Sequence, residues 1–222
     1  AAEQYFSTLA IKYNAQIDPA CAQKVALKGV GTRITNRKRT KQARRLAALP
    51  AFKIKHNIDT EHDLAYLLDL GYMSAEEDGP GNVSKESWDA EARKVAGAGQ
   101  TVFETQRLPW RTQKLIRFYY ALDNESFNPS DTSVKRAKIS HVRFHGFKEN
   151  TSRSLPRPSA HRQLVPFYIV EEKWLHATGN TGIAFNRSPE PEAWATLVIN
   201  DSELDPRDLE AMQKWIAEEE SN

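Results

Sequence analysis

The chain has 222 residues, 31 Lys/Arg against 29 Asp/Glu, and is 40% hydrophobic with five Trp, seven Tyr and nine Phe. That length suits one large domain or two small ones, and the aromatic content argues against a wholly disordered chain. One cysteine, Cys21, excludes an intramolecular disulfide framework, and no apolar run approaches the roughly 20 residues of a membrane span.

The near-neutral total hides segregation. Residues 1–18 carry one basic and two acidic side chains, 19–58 eleven and none, 59–104 three and eleven, 105–176 thirteen and six, and 177–222 three and ten. These blocks either neutralise one another in the fold or gather their positive members on one face, and sequence leaves both open. The absence of a signal-like start predicts an intracellular protein. The run Arg37-Lys38-Arg39 fits nuclear import, and the Ala1-Ala2 opening fits an excised or processed piece.

In chain order, Tyr5, Phe6, Leu9 and Tyr13 have helical spacing, predicting a helix over 3–13. Asp18 caps a second helix from Pro19 to Lys28, ended by a turn at Gly29-Val30-Gly31. A third, strongly basic helix runs from Thr35 or Asn36 to Leu49 and stops before Pro50. Asp59 to Asp63 supply the cap and acidic first turn of a helix carrying Leu64, Leu67, Leu68 and Leu70, stopped at Gly71. Residues 74–100 are polar and rich in small residues, predicting a mobile acidic loop or linker that contains a short helix from Ser84 to Val95.

Thr101–Leu108 alternates like a strand. Pro109-Trp110-Arg111 opens a helix to about Asp123, with Leu115, Phe118, Tyr119 and Leu122 inward and Arg111, Lys114 and Arg117 as a basic ridge. Residues 124–136 read as loop, Ile139–Phe147 as a strand and 148–163 as a turn-rich connection. Phe167–His176 reads as a helix, and Glu192–Asn200 is ambiguous between helix and strand. A last helix runs from Asp205-Pro206 to about Glu219, with Leu209, Met212, Trp215 and Ile216 inward. The expected fold is α+β and mainly helical, with several short helices and few strands. Its regions are a basic helical part (1–73), the linker (74–100) and a C-terminal α+β part (101–222), or one integrated domain.

A dense cation cluster needs a counter-charge, and nucleic-acid phosphate is the commonest large one. The expected function is therefore nucleic-acid binding, DNA first, by a basic helix docked on phosphates. The candidate contacts are Arg33, Arg37, Lys38, Arg39, Lys41, Arg44 and Arg45, with Arg111, Lys114 and Arg117 as an auxiliary surface. Trp110, Tyr119 and Tyr120 are core residues, or alternatively base-stacking ones. The first rival is a protein-interaction module whose positive blocks bind acidic partners or its own acidic segments. The second is a metal-dependent nuclease built on the acids of 59–63 with a histidine. His141 and His145 share a strand face but lack further ligands, and Cys21, His56 and His62 match no zinc spacing. No nucleophile elbow or phosphate loop occurs, so no catalytic residue, metal or cofactor is assigned.

Two stretches carry a resemblance: Leu67-Leu68-Asp69-Leu70-Gly71-Tyr72-Met73-Ser74-Ala75-Glu76-Glu77-Asp78, and Arg107-Leu108-Pro109-Trp110-Arg111. With Leu164-Val165-Pro166-Phe167-Tyr168 and Trp174-Leu175, they resemble a recurrent basidiomycete fungal protein family. Its order is a basic helical leader, a leucine-rich helix with a Met-Ser-x-acid-acid segment, and a Pro-Trp-Arg helix start. The resemblance spans about residues 35–176 and implies no established activity. Its link to large, repeated, transposon-associated gene families adds weight to nucleic acid, and no site residue is transferred from it.

Overall fold

The computed structural model describes residues 2–59, 61, 63–79, 84–96, 101–128, 141–145, 164–180 and 184–220. The chain divides into two compact units, Ala1–Arg37 and Lys38–Asn222. The fold is α+β and mainly helical: among the described residues there are seven α-helices, several 3-10 turns and one three-stranded sheet.

The first unit contains α1 (Ala2–Ile17) and the start of α2 (Pro19–Lys55). Asp18 caps α2 as expected, its carboxylate accepting from the Ala20 amide at 2.9 Å. The expected break at Gly29-Val30-Gly31 does not occur, and α2 is one helix of 37 residues. A helical glycine costs about 1 kcal/mol relative to alanine, too little to end a helix with good formers on both sides. Thr32 and Thr35 also donate their hydroxyls back to the Lys28 and Gly31 carbonyls at 2.9 Å. Pro50 fails as a stop for another reason. Its ring removes one helical hydrogen bond, at about 3 kcal/mol, but Phe52 and Lys53 beyond it are buried.

In the second unit, α2 contributes a buried stripe of Lys41, Arg45, Ala48, Leu49, Phe52 and Lys53. The Phe52 ring meets Phe118 edge-on at 5.4 Å, and Phe118 meets Trp194 at the same distance. Leu64, Leu67, Leu68, Leu115 and Leu122 complete the centre with no exposed surface. The leucine segment was expected to be one helix but forms two 3-10 turns, Ala65–Leu68 and Leu70–Tyr72. Asp63 and Asp69 accept from the amides of Ala65 (2.7 Å) and Gly71 (2.6 Å), and such local bonds compete with α-helix.

Residues 74–100, read from sequence as a linker, supply two packed elements. These are β1 (Glu76–Asp78) and α3 (Lys85–Val95), the latter capped by Ser84, whose hydroxyl accepts from Ser87 at 3.2 Å. β1 pairs antiparallel with β2 (Thr101–Thr105), placing Glu76 opposite Thr105. β2 pairs in parallel with β3 (His141–Phe144), placing Val102 opposite Val142. The connection from β2 to β3 contains α4 (Gln113–Phe127), whose cap is Thr112 rather than the Pro109-Trp110-Arg111 start expected. Arg111 instead makes a bridge to Val170. The rest comprises α5 (Glu172–Thr178), α6 (Glu192–Ala195) and α7 (Pro206–Glu220). The expected loop over 124–136 is overturned at its start, since 124–127 continue α4; residues 129–136 and the whole of the 148–163 connection lie outside the described residues.

Gly79, just after β1, faces the buried Trp88 indole so closely that an added Cβ would enter the ring. Trp88 is itself held edge-on to Phe144 at 5.4 Å. Gly79→Ala should therefore cost about 1–3 kcal/mol in urea unfolding, the usual penalty of overpacking; an unchanged midpoint would show that this contact is not tight.

Candidate functional site

The ten sequence-predicted contact residues separate into an interior set, a tethered set and a surface set. Lys41 and Arg45 are each 1% exposed and Arg111 is 8% exposed, which removes all three from contact with an external polyanion. The cause is helical periodicity: positions 41 and 45 continue the stripe of Ala48, Leu49 and Phe52 back towards the start of α2. Arg44 is largely covered as well. Lys114 and Arg117 are tethered to the end of α6 and to the chain after it. Lys114 donates to the Ala195 carbonyl at 3.0 Å, and Arg117 donates to the Ile199 carbonyl at 3.3 Å and to Asp201 at 2.6 Å. Arg33 and Arg39 are exposed, and Arg37 and Lys38 half-buried. Burial lowers the Lys38 pKa, and the positive charge of Arg111 lowers it further.

The interior cations converge on Asp123, a residue with no exposed surface that sequence reading did not single out. Arg45 grips it with two parallel bonds, Nε to Oδ1 at 3.1 Å and Nη2 to Oδ2 at 2.7 Å, the geometry that suits a guanidinium best. Arg44 donates to Oδ1 at 3.1 Å, and Arg143 of β3 donates to Oδ2 at 2.5 Å. Arg143 also reaches Asp208 of α7 at 3.0 Å, and Asp208 is bonded to His145 at 2.5 Å. Burial alone would push the Asp123 carboxyl up, but Arg45, Arg143 and Arg44 outweigh it and hold the group well below the ordinary range. Asp208 follows the same logic: burial raises it, and Arg143 and His145 bring it down.

Aromatic rings separate the like charges. The Arg45 and Arg111 guanidiniums lie over the Tyr119 ring at 4.3 and 4.9 Å, and Arg143 lies over Tyr120 at 5.6 Å. Arg111 donates to the Tyr72 carbonyl, and burial lowers its pKa to about 10. Tyr119, Tyr120 and Trp110 are thus buried, which takes away their alternative role as base-stacking residues.

Further pairs join the charge blocks of opposite sign. Lys41 meets Glu76 at 2.7 Å, Lys55 meets Glu203 at 2.8 Å, and Arg107 meets Glu218 at 3.7 Å. The arrangement is a salt lattice centred on buried Asp123, and its chemistry is structural. Among the described residues no group of three or more His, Cys, Asp or Glu could hold a metal ion. Asp59 and Asp63 accept from nearby backbone amides, Glu61 and Ala65 respectively. Thr60 and His62 of that cluster lie outside the described residues, as does the side chain of His141.

In the first unit, by contrast, no residue with a described side chain is buried. Tyr5, Phe6, Leu9, Ile11, Tyr13, Ile17, Val25, Leu27 and Val30 are all exposed, with Tyr13, Ile17 and Leu27 above 60%. Comparisons with protein-family models, curated proteins and solved structures find no match for the chain.

Proposed function

We propose that this protein is an interaction module that engages an acidic protein partner through the helices of its first unit. The observation that carries the reading is the exposure of nine large apolar side chains within 37 residues. Isolated surface apolars are ordinary, but such a concentration marks an interaction surface. The accompanying charge sets the partner's sign: residues 1–37 hold five Lys/Arg and two acids, and both acids precede Pro19. Mixed apolar and basic helices fit an acidic helix carrying its own apolar face.

Nucleic acid, DNA first, is the second reading. It is favoured by Lys24, Lys28, Arg33 and Arg37, spread over an acid-free stretch, and by the exposed Arg39. It no longer draws on Lys41, Arg44, Arg45 or Arg111.

One pair of titrations tests both readings, using a labelled amphipathic Glu/Leu helical peptide and a labelled random duplex. For the protein reading, the joint change Tyr13→Ser with Leu27→Ser should weaken peptide binding more than roughly 10-fold, on the order expected for removing two apolar anchors. For the DNA reading, Arg33→Ala with Arg37→Ala should weaken duplex binding, and four phosphate contacts give a log–log salt slope of about −4. Duplex binding with that slope and no peptide binding would replace the first reading by the second.

A further inference from the structure

A second surface feature, independent of the basic helix, lies wholly within the second unit. Three tyrosines from separate 3-10 turns, Tyr66, Tyr72 and Tyr168, line a cleft of about 540 Å³. The remaining wall includes Pro166, Pro189 and Pro191. The wall is fixed by the backbone. Asn186 donates its amide to the Val165 carbonyl and accepts from the Phe167 amide, both at 3.0 Å, and its side chain accepts from Ser188 at 3.0 Å. Tyr66 and Tyr168 are hydrogen-bonded to each other through their hydroxyls, which sets the relation of two of the rings.

The charged groups that act on the tyrosine hydroxyls are carboxylates. Burial raises the tyrosine hydroxyls first; at Tyr66 the bonded Tyr168 hydroxyl comes next, followed by Asp63 and Glu190, and at Tyr72 Asp69 follows burial. All three phenols therefore stay neutral; Tyr66 and Tyr168 are half-buried, while Tyr72 is 3% exposed. Among the described residues no Lys or Arg lines the cleft, and Arg187 is placed over the Phe167 ring at 4.8 Å. No carboxylate lines it either. A primary ammonium entering it would give up water without gaining an ionic acceptor, a costly exchange. An N-methylated ammonium is weakly hydrated and satisfied by ring faces, so it loses far less. The volume exceeds what one such group fills, leaving the proline wall for the flanking chain.

We propose that this cleft binds an N-methylated ammonium group carried on the side chain of an extended peptide. Tyr66 and Tyr168 supply most of the ring surface and Tyr72 its small exposed part, Asp63, Asp69 and Glu190 supply the nearby negative charge, and the prolines contact the flanking residues. The site is independent of the helices of the first unit, so either can fail without the other.

The test is fluorescence polarisation of the full chain with labelled five-residue Ala/Pro peptides. Their central residue is trimethyl-lysine, lysine, or the neutral tert-butyl isostere of trimethyl-lysine. The trimethyl peptide should bind roughly 10-fold more tightly than the neutral isostere, the scale of a desolvated cation–ring contact. Tyr66→Leu or Tyr168→Leu should abolish that preference. Tyr168→Phe, which keeps the ring, should leave affinity within about threefold, and Glu190→Gln should weaken it severalfold. Unchanged thermal unfolding of Tyr168→Phe and Glu190→Gln keeps those variants interpretable even if a leucine variant unfolds. Equal binding of the neutral isostere, or no binding by the trimethyl peptide, would overturn the proposal. Free choline binding as tightly as the peptide would overturn the peptide as the source.

Discussion

Asp123→Asn is expected to destabilise the second unit by about 3–5 kcal/mol, the usual cost of removing one partner from a buried ion pair. The carboxylate serves Arg44, Arg45 and Arg143 at once, and its own surface is fully covered. An amide keeps the shape but leaves three guanidiniums with one neutral oxygen between them. Arg44→Met should be milder, because Arg44 is 13% exposed and Asp123 keeps two other partners. The pH dependence follows in sign. Asp123 and Asp208 titrate below their ordinary 3.8 in the folded chain, so their contribution is present above about pH 4 and is lost as pH falls through the folded values. Acid unfolding should therefore start below about pH 4 and be shallower in Asp123→Asn. Urea unfolding by circular dichroism at pH 7 and pH 3 measures both effects; a loss under about 1 kcal/mol would mean the lattice contributes little.

The same lattice shows what the sequence could and could not reveal. The α+β, mainly helical class was legible, because α3 and α7 combine a start signal with apolar spacing and α4 carries the spacing even though its start was misplaced. The helix read from Ser84 to Val95 is α3, capped by Ser84, and Leu115, Phe118, Tyr119 and Leu122 are on the buried face of α4. Pro50, which reads as a helix stop, hides the interior role of Lys41 and Arg45. Ending the helix there removed Phe52 from the pattern and left a thin apolar side on an apparently cationic helix. Continued through the proline, the stripe 41, 45, 48, 49, 52 is visible at helical spacing, with two cations at core positions. Their partners had no local signal, since Glu76 and Asp123 lie 35 and 78 positions further along the chain. The alternation of charge blocks carried that information for Glu76 but not for Asp123, which lies in a positive block. Lys41 with Glu76 and Lys55 with Glu203 are pairs between blocks of opposite sign. The tyrosine cleft had no such trace, because tertiary packing alone brings positions 66, 72 and 168 together.

Lys41 provides the second large effect, and it runs the same way with pH but in the alkaline range. Its ammonium is 1% exposed, paired with Glu76 at 2.7 Å and donating to the Ser74 hydroxyl at 3.1 Å. Burial lowers its pKa from 10.5 to about 8, more than the attraction of Glu76 restores. Between those values the unfolded chain holds a proton that the folded chain has released, so stability rises with pH, by at most about 1.4 kcal/mol per unit. The clean window is pH 8 to about 9.5, below the range where unfolded tyrosines begin to ionise. Lys41→Met alone should cost about 3 kcal/mol or more, because Glu76 is then a buried carboxylate without its cation. Lys41→Met with Glu76→Met should recover to within about 1 kcal/mol of the parent, since a packed apolar pair avoids desolvating two charges. The double variant should also lose the rise in stability between pH 8 and 9.5. If it proved as unstable as the single variant, the pair would be a source of stability in its own right. The burial of Lys41 would then need an explanation other than the stripe that carries it inward.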